Sequence, residues 1–200
     1  MNDKYEEIYN RSIKDPDGFW SEAAEDIIWE KRWDTVLNVE NPPFYRWFKG
    51  GMLNTCYNAV DRHVDDGYGE QDAIIYDSPA TGGYKQKITY SELQDQVARL
   101  AGAISTLGVN KGDTVIIYMP MIPEAIMAML ACARIGAIHA VVFGGFAPKE
   151  LSERIDDCKP KLVLTASCGV EPNRTIDYKA MLDGALGIAT HKVPNSVILQ

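Results

Sequence analysis

The stretch KGDTVIIYMPMIPEAIMAMLACARIGAIHAVVFGGF, residues 111–146, decides the fold. Lys111-Gly112-Asp113 is a turn, and 114–118 (TVIIY) is a short β-branched and aromatic run. A continuous apolar run of this length, flanked by turn signals, suits a central parallel strand. Pro120 ends it, because proline donates nothing to a ladder. Pro123 suits the first turn of a helix, where its missing N–H costs little. That helix runs to about Ile135 and is apolar on nearly every face. Gly136 is placed for a left-handed C-terminal cap. Residues 137–142 read as a second buried strand. Strand, helix and strand make a βαβ unit with a right-handed crossover. Elements buried on all sides belong inside a larger α/β body.

The pattern extends both ways. Ser91 with Gln94 three residues later has capping-box spacing. Leu93, Val97, Leu100, Ala101, Ile104 and Leu107 then share one helical face, and Gly108 ends the helix. Pro148 opens a helix to about Asp157, Pro160 breaks it, and 161–165 (KLVLT) is a strand. Residues 178–187 read as a helix and 197–199 as one more strand. Further upstream, 54–64 reads as a helix, and strands at 73–76 and 86–89 flank the polar turn 77–87. Such alternation predicts an α/β fold with a doubly wound parallel sheet.

Composition sets the bounds. The chain has 200 residues, 46% hydrophobic and 24% charged, the profile of a globular chain with a real core. A net charge of −8 shows neither a nucleic-acid footprint nor a basic membrane-binding face. No apolar run reaches membrane-spanning length. The start, MNDKYEEIYN, is acidic and lacks the basic and apolar regions of a signal peptide. A cytoplasmic location is expected, with the mitochondrial matrix as the alternative in a eukaryote.

Cys56, Cys132, Cys158 and Cys168 show no CxxC spacing and read as isolated thiols. His63, His139 and His191 are scattered; His139, in a strand, reads as a structural histidine. No metal site and no catalytic residue is assigned. Asp156-Asp157 reads as a solvated helix end rather than an acid–base pair. Phe19, Trp20, Trp29, Trp33, Phe44, Tyr45, Trp47 and Phe48 crowd the first third. They suit an arm or short helices anchored by aromatic burial, with a peptide- or sugar-binding surface as the alternative.

Four segments then carry a resemblance: 47–64 (WFKGGMLNTCYNAVDRHV), 88–93 (ITYSEL), 111–146, and 150–174 from ELSERIDD through KPKLVLTASCGVEPNR. In this order they resemble the N-terminal part of the short-chain acyl-CoA synthetases of the adenylate-forming superfamily. The propionate–CoA ligase branch is nearest and acetyl-CoA synthetase next. The resemblance implies 1–64 as the N-terminal arm and 65–200 as the first part of the AMP-binding domain. It implies ATP, CoA and Mg2+ for the full-length enzyme. The chemistry runs through an acyl-adenylate that CoA thiol attacks. The Ser/Thr-Gly-rich phosphate run followed by Lys-Gly is absent from the 200 residues, and Gly82-Gly83 follows no buried strand. The chain is therefore expected to be a fragment, inactive alone. It is also expected to be poorly soluble or a homo-oligomer, because a sheet cut short leaves an open edge.

The resemblance also implies a CoA-binding set: Phe143, Gly144, Gly145 and Arg174. Phe143 would lie against the adenine. Gly144 and Gly145 would let the ligand approach the backbone, although glycines also serve a plain corner. Arg174 matches the second arginine of the acetyl type and would pair with a CoA phosphate; a solvated loop charge is the alternative. Glu171-Pro172 stands where the acetyl type has its first arginine, and this pair fits the propionate branch. Two functions stay open: part of a short-chain carboxylate–CoA ligase, with propionate ahead of acetate, or a stand-alone CoA- or partner-binding module. An NAD-type domain is disfavoured, since no GxGxxG follows a strand.

Overall fold

The structure, a computed structural model, describes residues 3–200. The first two residues of the acidic start lie outside the described residues. The chain divides into two compact units, Met1–Asn54 and Thr55–Gln200.

The first unit holds helices α1 (Asp3–Lys14) and α2 (Pro16–Ala23) and an antiparallel pair, β1 (Thr35–Asn38) and β2 (Arg46–Lys49). Asp15 caps α2 by accepting from the Gly18 N–H at 3.0 Å, and Pro16 opens the helix. The core is aromatic. Trp29, Trp33 and Phe48 meet with ring centroids 4.9–5.4 Å apart. The Trp29 indole N–H donates to the Ala24 carbonyl at 2.9 Å. The crowd of aromatics therefore splits. These three are half-buried, whereas Trp20, Phe44, Tyr45 and Trp47 are exposed.

The second unit opens with a helical segment, 55–68, that contains two π-helical turns, Tyr57–Asp61 and Val64–Tyr68. A hairpin follows, β3 (Asp72–Ser78) and β4 (Tyr84–Thr89), turned by Gly82 and Gly83 at φ of +75° and +79°. Then come α3 (Tyr90–Thr106), β5 (Thr114–Tyr118), α4 (Pro123–Ile135), β6 (Ile138–Val141), α5 (Pro148–Cys158) and β7 (Leu162–Ala166). A small hairpin, β8 (Gly169–Glu171) and β9 (Arg174–Ile176), leads to α6 (Tyr178–Ile188) and β10 (Asn195–Leu199).

The central sheet is parallel, in the order β10-β7-β5-β6. Alternation along β5 assigns its two faces. Val115 and Ile117 pack with α3 and α4, while Ile116 and Tyr118 pack with α5 and α6. From β5 to β6 the chain steps one way across the sheet with α4 on the first face. From β6 to β7 and on to β10 it steps the other way, with α5 and α6 on the second. Direction and face reverse together, so the crossovers share one hand. The expected doubly wound parallel sheet is present.

Three local expectations need correction. The α3 cap is not Ser91 with Gln94. β4 runs straight into the helix, so Thr89, the last strand residue, is the cap. Its hydroxyl accepts from the Glu92 N–H at 3.2 Å, and the Glu92 carboxylate accepts from the Thr89 N–H at 2.8 Å. β6 is an edge strand rather than a buried one, and Ile138, His139 and Val141 are exposed on it. His139 is thus not enclosed in a core. Asp156 is not merely solvated, because it accepts from the Thr190 and His191 N–H groups, each at 2.8 Å. Those bonds hold its carboxyl below the usual range and tie the loop after α6 back to α5.

One polar cluster lies against the core of this unit. Asp61, 8% exposed, accepts twice from one Arg134 nitrogen at 2.7 Å and once from the Gln94 amide at 3.0 Å. It joins the π-helical turn to α3 and α4. Gln94, expected in a cap, serves here instead.

Candidate functional site

The loops leaving β5 and β7 depart toward opposite faces of the sheet. In an open α/β sheet, ligands bind in the crevice where adjacent strands diverge in this way, beyond their carboxyl ends. A cavity of about 420 Å³ lies there. Pro120, Met121 and Ile122 after β5, residues 166–170 after β7, the 76–81 turn of the β3–β4 hairpin, and Leu199 and Gln200 line it. Cys168, an exposed thiol, is on its wall. Neither Phe143, Gly144, Gly145 nor Arg174 lines this cavity.

Those four residues lie alongside it, on the second face. The 143–146 corner leaves β6 and turns into α5. It is closed by the Phe146 N–H donating to the Phe143 carbonyl at 3.0 Å. Phe143 is 71% exposed and meets Phe146 edge-on, with centroids 5.8 Å apart. Phe146 in turn lies under the Arg154 guanidinium at 4.3 Å. Phe143 thus presents an uncovered ring on a braced corner. Tyr118 braces the corner from the sheet side: its hydroxyl donates to the Phe146 carbonyl at 2.8 Å. Burial, then the neighbouring Tyr178, pushes the Tyr118 phenol up to about 12, so the donor keeps its proton at neutral pH.

Neither Gly144 nor Gly145 has positive φ, so the corner does not need glycine merely to turn. Gly144 is required for another reason. A methyl placed on it would sit 1.8 Å from the Tyr178 hydroxyl oxygen. Gly169, at the start of β8, meets the same ring; a methyl there would lie 2.6 Å from Cε2. Tyr178 therefore occupies a slot between two glycines and stacks obliquely on Tyr118, with centroids 4.9 Å apart. It joins the β6 corner to the β8–β9 hairpin that carries Arg174. No local signal marks this role, beyond an aromatic opening a helix capped by Asp177.

Arg174 projects from β9 into solvent. Its Nε donates to the Glu171 carboxylate at 2.7 Å across the hairpin. Glu171 sits against the arginine and holds it, leaving the guanidinium's terminal N–H groups for another acceptor. Among the described residues no three His, Cys, Asp or Glu side chains gather as a metal site, and no helix is long and apolar enough to cross a membrane.

A glycine corner and a charged hairpin at the carboxyl end of a doubly wound sheet invite comparison with nucleotide-using enzymes. Residues 61–198 match the family described as AMP-binding enzyme. The chain belongs to that family. Residues 5–59 match the acetyl-coenzyme A synthetase N-terminus. Among relatives of this AMP-binding chain is the Rattus norvegicus acyl-CoA synthetase short-chain family member 3, mitochondrial. It is 56% identical over 189 residues, 94% of this chain and 28% of its own. The Homo sapiens protein of the same name is 53% identical over 196 residues, 98% of this chain and 28% of its own. The Halorhodospira halophila acetyl-coenzyme A synthetase is 48% identical over 186 residues, 92% and 28% respectively. The chain thus spans 28% of the length of these relatives. These relatives are by name short-chain acyl-CoA and acetyl-coenzyme A synthetases, the group that the sequence motifs resemble.

Proposed function

We propose that this chain is part of an ATP-dependent, AMP-forming short-chain carboxylate–CoA ligase that favours propionate over acetate. The observation that carries the reading is the 56% identity along 94% of the chain to a short-chain acyl-CoA synthetase. Residues 1–64 form its N-terminal arm and 65–200 the first part of its AMP-binding domain. A free carboxylate is a poor acyl donor; adenylation by ATP, with Mg2+, supplies a good leaving group, and the CoA thiol displaces AMP. None of the described residues is assigned to the metal. The 200 residues alone are inactive on this reading, because the phosphate run is not among them. The cytoplasm or the mitochondrial matrix suits the chemistry.

This chain's part is to hold CoA. The open face of Phe143 takes the adenine, the backbone at Gly144 and Gly145 lies alongside, and Arg174 meets a phosphate. Propionate is favoured because Glu171-Pro172 stands where the acetyl type has an arginine, and the pairing of Glu171 with Arg174 supports a one-arginine arrangement.

Full-length protein given propionate, ATP and CoA is expected to yield AMP and propionyl-CoA. Its kcat/KM for propionate should exceed that for acetate by about tenfold, the worth of one methylene. Failure to form AMP with any C2–C4 acid overturns the ligase assignment. Equal or better use of acetate overturns only the preference. Arg174→Ala is expected to raise KM for CoA about tenfold, the loss of one charged hydrogen bond, and to leave KM for ATP unchanged. An unchanged KM for CoA removes Arg174 from the site.

A further inference from the structure

Tyr178 is 4% exposed, yet its hydroxyl makes no hydrogen bond among the described residues. The ring is enclosed, but the hydroxyl is not one of the buried polar atoms that lack a partner, so the O–H tip opens to solvent and is free to donate to a ligand. The slot is built around it. Gly144 and Gly169, far apart in sequence, both lack the side chain that would exclude the ring. The Asp177 cap fixes the first turn of α6, its carboxylate accepting from the Ala180 N–H at 2.9 Å. Tyr118 supports one side of the ring. The outcome of all this fixing is that one O–H reaches the backbone of the glycine corner and stops there.

From this we infer that the Tyr178 hydroxyl is a hydrogen-bond donor to a phosphate oxygen of the CoA nucleotide bound across the 143–146 corner. The inference rests on the proposed CoA reading of that corner. It gives Gly144 a second meaning: the glycine is bare so that a protein hydroxyl, and not only the ligand, can come close. Three different groups then meet the nucleotide, an aromatic face at Phe143, a cation at Arg174 and a neutral donor at Tyr178. Burial, and the nearby Glu171 charge, raise the Tyr178 phenol above its ordinary range, so it stays protonated and donates rather than repelling phosphate. The ring also joins the corner to the hairpin, so ligand contact at its tip would fix both loops at once.

Tyr178→Phe removes the hydroxyl and keeps the ring in its slot. The full-length protein and this variant are to be titrated with CoA by calorimetry, with thermal unfolding measured beside it. The Kd for CoA is expected to rise about tenfold, the worth of a hydrogen bond to a charged group. Propionate-dependent exchange of pyrophosphate into ATP, which needs no CoA, should be unchanged. An unchanged Kd, with equal or higher Tm, overturns the inference and makes Tyr178 a space-filling residue. Absence of CoA binding by the wild-type protein overturns it as well. A wild-type protein that binds CoA in a Tyr178-dependent way but forms no AMP with any acid sustains this inference while removing the ligase reading.

Discussion

Asp61→Ala is expected to cost about 3 kcal/mol of stability. The cost follows from what the substitution strands. Asp61 and Arg134 have side chains only 12% and 26% exposed and meet at 2.7 Å. Removing one partner of a buried pair leaves the other charge without compensation, at about 3–5 kcal/mol. Residual exposure at Arg134 places the effect at the lower end. The Gln94 amide loses its acceptor too. Three elements are tied at this carboxylate, the π-helical turn Tyr57–Asp61, α3 and α4. Their separation would open the first face of the sheet around Cys56 and Val60, both within its core. Urea unfolding reads the loss, and a second variant identifies its cause. Asp61→Leu with Arg134→Met removes both charges and should recover most of the stability, since apolar replacement of a buried pair is often neutral. A cost under about 1 kcal/mol for Asp61→Ala would show a solvated pair, of the kind that contributes little.

The parts of the fold that could be read from sequence are those where local pattern and tertiary place coincide. TVIIY is apolar without interruption because β5 is flanked by β6 and β7 and covered on both faces. Pro123 and Gly136 mark the ends of α4 because each solves a backbone problem within one turn, Gly136 at φ +74°. β6 reads as buried because an edge strand differs from a central one only in having a single neighbour, which the strand's own residues do not encode. The α3 cap lies two residues before the Ser91 that the spacing suggests, because β4 and the helix share Thr89 with no loop between them. The β8–β9 hairpin leaves no strand pattern in the sequence, since strands of three residues around Pro172-Asn173 look like turn chemistry.

The candidate site shows the same division. Phe143, Gly144, Gly145 and Arg174 are named by the family resemblance, because the glycine pair and the loop arginine lie inside the segments that carry it. The cavity at the divergence of β5 and β7 follows from strand order, which no local window contains. Tyr178 is invisible for a related reason. Its significance lies in two glycines from other loops and in a hydroxyl with no partner, and both are facts of assembly.

Gly144→Ala tests that assembly directly and is expected to be the second costly substitution. The added methyl would lie 1.8 Å from the Tyr178 hydroxyl oxygen and 2.8 Å from the ring carbon that bears it. A long flexible neighbour would swing aside. Tyr178 cannot, since its ring is held by Tyr118 on one side and Gly169 on another. Either the ring or the corner must move, and overpacking of this kind costs about 1–3 kcal/mol. The upper half of that range is expected, because the corner is also pinned by the Tyr118 bond to the Phe146 carbonyl. CoA affinity should fall together with stability, as Phe143 rides on the displaced corner. Tyr178→Leu supplies the control. It leaves a void and is destabilising by itself, by the cavity left when a large side chain is truncated. In that background the alanine methyl has room, so Gly144→Ala should add almost nothing. The non-additivity of the two substitutions, expected at about 1–3 kcal/mol, measures the contact itself. Additive effects would mean that the corner yields without engaging the ring. Gly144 would then be free to carry a side chain, and the slot would lose its claim to organise the site.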